Sequence, residues 1–410
     1  MPASRWDPWI DRSLALRADP YRFISRTCRE AGRDAVELRL LGRRTVVMTG
    51  ARAVSCFGDA ARFERAGAVP EPLRATLFGK GGQQSLDGSV HAARKALFLA
   101  LLAPPTADRL VTRFVGNLER AARDWAQRDA VPLHEALQPV LARTVCDWAG
   151  VVVPADMLSL RTAQLASLYM EPLTRHLHAR GQRRAAEGWL IAEIDAMRAG
   201  RIGGRGEALR AIAMHVDPRG APLSARIAAV EMLNLLRPTV AVAVWIVFAA
   251  HALVRAPAWR DALRVQPSLI DCFVQEVRRF YPFFPMVAAR VRRGFEWDGV
   301  RFATGRRALL DLYGTGHDPR CWDAPERFRP ERFLQGPPEP PGFVPQGGGD
   351  PGTGHRCPGE TVAVELTKAA TLWLVDGVRY EVPKQDLELD MTRLPALPRG
   401  GFTVTKLRPR

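Results

Sequence analysis

Apolar positions dominate several long segments of the chain, and their spacing predicts mostly helices. Residues Ala221 to Val254 are largely apolar, with an unbroken apolar run from Val240 to Ala250, and predict one long buried helix. A second helix is predicted over Glu360 to Val375. Period-two alternation predicts short strands at Asp34 to Met48 and Gly294 to Asp311, with another near the C-terminus. The pattern therefore predicts a mainly α protein with small β-sheets.

At the middle of the long predicted helix lie Arg237, Pro238 and Thr239. No carboxylate lies three or four residues from Arg237 on either side, so the helix itself offers no ion-pair partner. An unpaired buried guanidinium is very costly. We therefore expect it to bind the carboxylate of a substrate bidentately, the alternative being a side chain that reaches out to solvent. Pro238 should kink the helix and free a carbonyl.

The segment from Pro345 to Gly359 is the most informative stretch of the sequence. Its glycines let the backbone approach closely and adopt positive φ, and Cys357 is followed by a Pro-Gly turn. The N-terminus of the helix predicted from Glu360 should point back at this cysteine and stabilise its thiolate. A thiolate held in this way ligates haem iron in oxygen-activating haem proteins. The alternative is an ordinary buried cysteine in a glycine-rich turn.

Composition narrows the class of protein without identifying it. At 410 residues and 47% hydrophobic content, and with no Ser/Gly/Pro linker, the chain is expected to form a single domain over residues 1–410. The net charge of +16 is spread along the chain without a recognised binding motif, so nucleic acid is not expected as a partner. The six cysteines include no Cys-x-x-Cys pair, which argues against disulfides and structural zinc.

Two segments bear on location. Met1 to Leu14 lacks the apolar core of a signal peptide. The apolar run of the long helix is too short to cross a bilayer and directly follows the charged residue at its middle. A cytoplasmic protein with no obligate membrane partner is therefore expected.

Three motifs, taken in order, resemble the cytochrome P-450 superfamily. They are the helical Glu276-Val277-Arg278-Arg279, the Phe328-Arg329-Pro330-Glu331-Arg332-Phe333 segment and the glycine-rich loop around Cys357. The resemblance implies a triangular helical prism enclosing a haem, with Cys357 as the axial ligand of the iron. It also implies a buried charge network of Glu276, Arg279 and Arg332 that supports the haem-binding core.

Further segments, over nearly the whole chain, resemble the bacterial fatty-acid peroxygenase branch of that superfamily. They are Leu233 to Val242, Leu77-Phe78-Gly79, Asp87-Gly88, Val274 to Phe283 and the loop Gln346 to Asp350. The resemblance implies haem b as cofactor, hydrogen peroxide as co-substrate and hydroxylation of fatty acids at the α or β carbon. In that branch the substrate carboxylate, bound by the residue matching Arg237, assists O–O cleavage in place of the acid that typical monooxygenases carry. A redox partner is then not required.

Gln84 bears on the choice between two reactions. The matching position is glutamine in members that mainly hydroxylate and histidine in one that mainly decarboxylates to terminal alkenes. Glutamine cannot titrate, whereas histidine moves protons near neutral pH, so hydroxylation is favoured. The neighbouring Gln83 leaves the register open by one residue.

The resemblance also implies which residues bind the haem propionates and which line the substrate pocket. His91, Arg94, Arg356 and Arg65 are candidates to bind the haem propionates, although each could be an ordinary surface charge. Phe78, Thr239 and Phe284 are expected to line the substrate pocket with Arg237, and Pro238 belongs to the same catalytic stretch. Phe284 departs from the glycine that is usual in the branch, so it either intrudes on the pocket or packs outward.

Three alternatives stay open. The chain could be a fatty-acid decarboxylase that forms terminal alkenes, or a reductase-dependent monooxygenase acting on another carboxylate substrate. It could also be a haem and fatty-acid binding protein without turnover. The residues themselves leave chain length, regiochemistry and oligomeric state open.

Overall fold

The computed structural model describes residues 10–170, 176–202, 206–336 and 342–410. The chain folds into two compact units. The helices are α1 Ser13–Ala18, α2 Phe23–Glu30, α3 Ala51–Phe57, α4 Glu71–Leu77, α5 Gly88–Leu101, α6 Thr106–Trp125, α7 Leu133–Ala149, α8 Leu158–Met170, α9 His176–Arg198, α10 Glu207–Ala213, α11 Ala225–Arg255, α12 Pro257–Val265, α13 Ile270–Phe280, α14 Tyr313–Gly316 and α15 Glu360–Leu372. The strands are β1 Ala35–Leu40, β2 Arg43–Met48, β3 Phe63–Glu64, β4 Ala130–Pro132, β5 Met286–Val291, β6 Phe295–Trp297, β7 Val300–Phe302, β8 Arg307–Asp311, β9 Val378–Glu381 and β10 Thr403–Pro409.

The first unit comprises Met1–Glu71, Arg278–Cys357 and Asp390–Ala396 and is built on one sheet. Its five strands lie in the order β1-β2-β8-β5-β3, antiparallel except for the parallel pair β2 and β8. The apolar faces of its strands bury an aromatic cluster in which Phe63 contacts Phe57, Phe295 and Phe302 at centroid distances of 5.2 to 6.0 Å. These rings anchor the β6–β7 hairpin to the sheet.

The second unit comprises Pro72–Val277, Pro358–Leu389 and Leu397–Arg410 and is mostly helical. Helix α11 packs against α7, α8, α9 and α15, and a small sheet in the order β4-β10-β9 lies in the same unit. Every residue of α11 from Ala228 to Leu253 is buried except Pro238. Ser224 caps the helix, because its hydroxyl accepts a hydrogen bond from the N–H of Ile227 at 3.2 Å.

The sequence pattern located the main elements well. The long predicted helix is α11, the helix after the cysteine is α15, and both predicted β regions form strands. Strand β5 was missed, although it pairs with β8 and β3 near the middle of the sheet. The part of the Pro-rich stretch at 337–341, like residues 1–9 of the N-terminal segment, lies outside the described residues.

Helix α11 also corrects one expectation about membranes. It is 31 residues long, with a mean hydropathy of 1.8 in its most apolar window, so its length and composition alone would allow it to cross a bilayer. However, 89% of that window is buried inside the protein. The argument against a span therefore rests on burial rather than on length.

Candidate functional site

Arg237 lies in the middle of α11 and is only 9% exposed. Its Nη1 donates a hydrogen bond to the backbone carbonyl of Leu77, and its guanidinium carbon lies 5.8 Å from the centroid of the Phe78 ring. The side chain therefore does not reach out to solvent, and that alternative is wrong. A guanidinium carries five N–H donors in a planar fork, so this group can serve a carbonyl and a carboxylate together.

Pro238 and Thr239 complete the polar interruption of α11. The helix continues through Pro238, but proline has no N–H, so the carbonyl of Asn234 lacks its usual helical donor. The Thr239 hydroxyl donates to the carbonyl of Leu235 at 3.0 Å, which commits it to its own helix. Pro238 is exposed between buried neighbours, so open space lies beside this turn of the helix.

The two glutamines of the glycine-rich loop have different surroundings in the short 3₁₀ helix Gln83–Ser85. Gln83 is buried, and its side-chain nitrogen lies 3.1 Å from Nε2 of His91. The Oε1 of Gln84 is also buried, but it has no hydrogen-bond partner among the described residues. A buried amide oxygen without a donor is costly, and Gln84 is therefore the glutamine whose side chain a bound group could satisfy.

Glu231, which was not among the predicted site residues, joins this loop to α11. Its carboxylate accepts hydrogen bonds from the backbone N–H of Gln83 at 2.9 Å, from Asn234 Nδ2 at 2.9 Å and from Arg94 Nη1. Glu231 is fully buried; burial raises the pKa of its carboxyl group, and Arg94 opposes that rise. A lone glutamate in an apolar helix was the available signal, because such a charge must find a partner.

The ion pair between Arg94 and Glu231 limits how Arg94 could bind a haem propionate. Arg94 is 3% exposed and forms a buried ion pair with Glu231, so its positive charge is already shared. Its Nε is buried without a hydrogen-bond partner among the described residues and could still donate to an anionic oxygen. His91 is equally buried and contacts Gln83 rather than lying on the surface.

Cys357 lies in the first unit, at the end of a tightly turned loop. Gly347 and Gly349 have φ of +95° and +91°, and the N–H of Cys357 donates to the carbonyl of Gln346 at 3.2 Å. Arg278 fixes the same loop by donating to Oε1 of Gln346 at 3.0 Å. Cys357 is partly exposed, so it is not an ordinary buried cysteine.

Four of the other cysteines are buried, and Cys321 is exposed. Burial raises the pKa of the Cys28, Cys56 and Cys146 thiols, for Cys146 to about 12, so these thiols remain protonated and inert. A partly exposed sulfur held by a glycine-rich loop provides the soft, accessible ligand that haem iron requires. The glycine-rich loop and the accessible sulfur of Cys357 therefore fit a haem ligand.

Three further predicted site residues lie in the first unit. Arg356 directly precedes the cysteine and is partly exposed, and its backbone lies against Gly347. Arg65 stacks on Phe57, with its guanidinium carbon 4.3 Å from the ring centroid. Phe284 is 51% exposed and packs edge-on against Phe283, with ring centroids 4.7 Å apart.

Two of the three residues of the predicted charge network are buried, and Arg332 is partly exposed. Glu276 is fully buried and Arg279 is 3% exposed. Within the first unit, Arg279 donates to the carbonyls of Gly316 and Arg327, and Arg332 shares the Arg327 carbonyl at 3.3 Å. The two arginines thus fix the backbone segment that precedes the cysteine loop.

The comparisons with known proteins agree with this geometry. The family model of cytochrome P-450 matches residues 255–404. Psoralen synthase from Ammi majus is 31% identical over 156 residues, which cover 36% of this chain and 30% of that protein. The chain thus matches about a third of the length of that curated relative.

Solved structures match over the whole chain. A variant of cytochrome P450SP alpha (CYP152B1) is 46% identical, with a TM-score of 0.95, and the match covers 98% of this chain and 99% of that chain. Cytochrome P450EX alpha (CYP152N1) with myristic acid is 36% identical over the full length of both chains, with a TM-score of 0.95. A variant of cytochrome P-450 OleT in complex with arachidonic acid is 28% identical, with the same TM-score, over 100% of this chain and 99% of that one.

The sequence motifs and the similarity of the backbone to solved structures therefore indicate the same protein family. The match to cytochrome P450SP alpha spans both chains almost completely at 46% identity. This chain belongs to the cytochrome P-450 superfamily and, within it, to the fatty-acid peroxygenase branch that these solved structures represent.

Proposed function

We propose that this protein is a haem-thiolate peroxygenase that hydroxylates fatty acids at the α or β carbon with hydrogen peroxide. The observation that carries the proposal is the buried guanidinium of Arg237 in a mostly apolar helix, beside the ring of Phe78. This arrangement suits a ligand with one carboxylate and a long apolar chain. Two of the similar solved structures hold such ligands, myristic acid and arachidonic acid.

Arg237 has two tasks in this account. Its paired N–H groups hold the substrate carboxylate in one orientation and keep it ionised, because the positive charge favours the charged form. The positioned carboxylate can then move a proton between the two oxygens of hydrogen peroxide, a task for which the helix has no acid within four residues of Arg237. The substrate thus completes the catalytic site, and a chain without a carboxylate should react poorly.

The remaining site residues receive roles that follow from their surroundings. Cys357 would hold the iron of haem b, and His91, Arg94, Arg356 and Arg65 would contact its propionates, with Arg94 acting through its Nε–H. When bound, the haem supplies the oxidising chemistry. Gln84 would donate and accept hydrogen bonds in the pocket without titrating, which favours hydroxylation over decarboxylation.

The proposal also covers the pocket-lining residues, the redox partner and the location of the protein. Thr239 and Phe284 would shape the pocket by packing, since the Thr239 hydroxyl is already bonded to Leu235. A peroxide-driven reaction needs no redox partner, and a cytoplasmic location is part of the same proposal. The orientation of the acyl chain is assigned to Phe78, whose ring lies beside the guanidinium.

The direct test mixes the purified haem protein with hexadecanoic acid and hydrogen peroxide, without reductase or nicotinamide. Products are identified by mass spectrometry. A 2- or 3-hydroxy acid is expected and would also establish the regiochemistry. A predominant terminal alkene would identify a decarboxylase instead. No product, from protein that shows a haem-thiolate spectrum, would overturn the proposal in favour of a reductase-dependent monooxygenase or a binding protein.

A further inference from the structure

A cleft whose lining does not include Arg237 is lined mostly by cations. Its volume is about 210 Å³, and it lies within the second unit, where α9, the N-terminal end of α11 and the loop after α4 meet. The lining cations are Lys80, Arg180, Arg183, Arg184 and Arg226, and the acidic residue among them is Glu187. The cleft therefore carries an excess of four positive charges in a small volume.

Arg183 makes this cleft a built site rather than a patch of surface charge. Its side chain is 2% exposed; Nε donates to Glu187 at 2.7 Å, and Nη1 donates to the carbonyls of Thr76 and Leu77 at 3.1 and 3.3 Å. Its Nη2 is buried and has no hydrogen-bond partner among the described residues. Nη2 packs against Gly79, so the guanidinium closes the base of the cleft and adds a fixed positive charge to its lining.

The backbone around Arg183 is shaped to keep this guanidinium in place. Gly79 has φ of +79°, and a Cβ added there would clash with Nη2 of Arg183 and with Val230. Glycine at position 79 is therefore required both by the backbone conformation and by the space that the guanidinium occupies. The loop at Gly79 and the side chain of Arg183 together form the base of the cleft.

The other cations are placed to bind the same ligand. Arg184 and Arg226 are exposed, Arg180 is half-buried, and in the described part of the chain none of these three forms an ion pair. Glu187, the acid of the cleft, is bonded to Arg183. Like charges held this close repel each other, and a multiply charged anion would relieve that repulsion.

We propose that this cleft binds a phosphate group, either as a free phosphate or diphosphate or as the phosphate ester of a lipid. Arginine forks match phosphate oxygens bidentately, and a phosphate monoester brings about two negative charges where a carboxylate brings one. The charge excess therefore favours phosphate over a second fatty-acid carboxylate. The proposal does not depend on the peroxygenase reaction.

The cleft is also connected to Arg237. Arg183 and Arg237 both donate to the carbonyl of Leu77, so a ligand that pulls Arg183 into the cleft leaves more of that carbonyl for Arg237. Occupancy of the cleft should therefore change the affinity of Arg237 for its carboxylate, and the fatty acid should change the affinity of the cleft by the same factor. This second consequence rests on the proposed function.

The test titrates pyrophosphate into the haem protein at low salt by calorimetry, without fatty acid or peroxide. The double variant Arg184→Gln, Arg226→Gln should bind pyrophosphate at least roughly tenfold more weakly than the unaltered protein, because two charge-assisted contacts are lost. The control is Arg219→Gln, Arg293→Gln, which removes the same charge from exposed positions outside the cleft and should bind as the unaltered protein does. The haem spectrum of each variant confirms folding.

A parallel arm distinguishes the sources of phosphate. Flotation with phosphatidylcholine vesicles, with and without phosphatidic acid, measures binding to a lipid phosphate. Cleft-dependent binding of pyrophosphate alone assigns the site to a free phosphate, and cleft-dependent binding to the phosphatidic acid vesicles assigns it to a lipid. Absence of saturable binding in both arms, or equal weakening by both double variants, would overturn the proposal, whatever the outcome of the fatty-acid assay.

Discussion

Arg183 and Arg237 donate hydrogen bonds to the same backbone carbonyl, that of Leu77. One guanidinium comes from α9 and the other from α11, so the C-terminal end of α4 is held by two helices. Two positive charges on one acceptor form an arrangement that anions on either side would stabilise. The carboxylate site and the cationic cleft are thus linked through one peptide group.

Glu231 should be essential for the stability of this region. Glu231→Gln keeps the size of the side chain but leaves the buried charge of Arg94 without its counter-charge, which costs about 3 kcal/mol or more. Urea unfolding of the haem protein measures the loss. Glu207→Gln is the matched control, because Glu207 pairs with Arg109 on the surface and its removal should cost less than about 1 kcal/mol. Equal losses in both variants would show that the buried pair has no special role.

Gln84 and Gln83 should respond differently to histidine. Gln84→His places a group that titrates near neutral pH where an unsatisfied amide oxygen now lies, and the terminal alkene fraction should rise. Gln83→His is the control, because Gln83 already packs against His91, and its product ratio should stay close to that of the unaltered protein. Gas chromatography of the products gives the ratio. A larger alkene fraction with Gln83→His would mean that the register assigned to the loop is wrong.

Phe284 should influence selectivity more than stability. Its side chain is half-exposed and contacts Phe283, so Phe284→Gly should lower the free energy of unfolding by only about 1 kcal/mol. If the ring enters the pocket, the same variant should change the preferred chain length or the ratio of 2- to 3-hydroxy acid. Competition between dodecanoic and hexadecanoic acids measures this change. Identical selectivity in both proteins would indicate that Phe284 packs away from the substrate.

Asp311 should make the stability of the first unit depend on pH. It is fully buried at the end of β8 and accepts hydrogen bonds from Gly314 N–H at 2.7 Å and Thr49 Oγ1 at 3.4 Å. Burial raises its pKa to about 7 from its usual value of 3.8. The folded state therefore holds a proton that the unfolded chain has lost, and this contribution to stability falls as the pH rises from about 4 to about 7.

The corresponding variant is Asp311→Asn, which cannot lose a proton. A pKa difference of about three units corresponds to roughly 4 kcal/mol, so the variant should gain up to that amount relative to the unaltered protein between about pH 4 and pH 8. Unfolding free energies at several pH values give the difference. Asp261→Asn at an exposed position is the control. A difference between Asp311→Asn and the unaltered protein that does not vary with pH would contradict the assignment.

Much of the site could be predicted from the sequence because its signals are local. An arginine next to a proline within an apolar helix, and a cysteine within a glycine-rich loop, each stand out against their neighbours. The structure buries Arg237 in the middle of α11 and leaves Cys357 partly exposed. Gly347 and Gly349 of the loop have the expected positive φ.

Features that depend on distant pairing could not be found in this way. Glu231 and Arg94 are 137 residues apart, and Arg183 and Leu77 are 106 apart, so no local pattern joins them. The sequence therefore suggested Arg94 as a propionate ligand but did not reveal its ion pair with Glu231. The commitment of the Thr239 hydroxyl to Leu235 was open to prediction, because threonine in a helix often bonds to the carbonyl four residues earlier.

The most direct measurement of the central claim is the yield of hydroxy acid from hexadecanoic acid and hydrogen peroxide with Arg237→Ala. The variant should retain its haem-thiolate spectrum but lose nearly all product, because the carboxylate is no longer held or aimed. Arg210→Ala, on the exposed face of α10, is the control and should keep full activity. Product from Arg237→Ala at the level of the unaltered protein would contradict the assisted role of the substrate carboxylate.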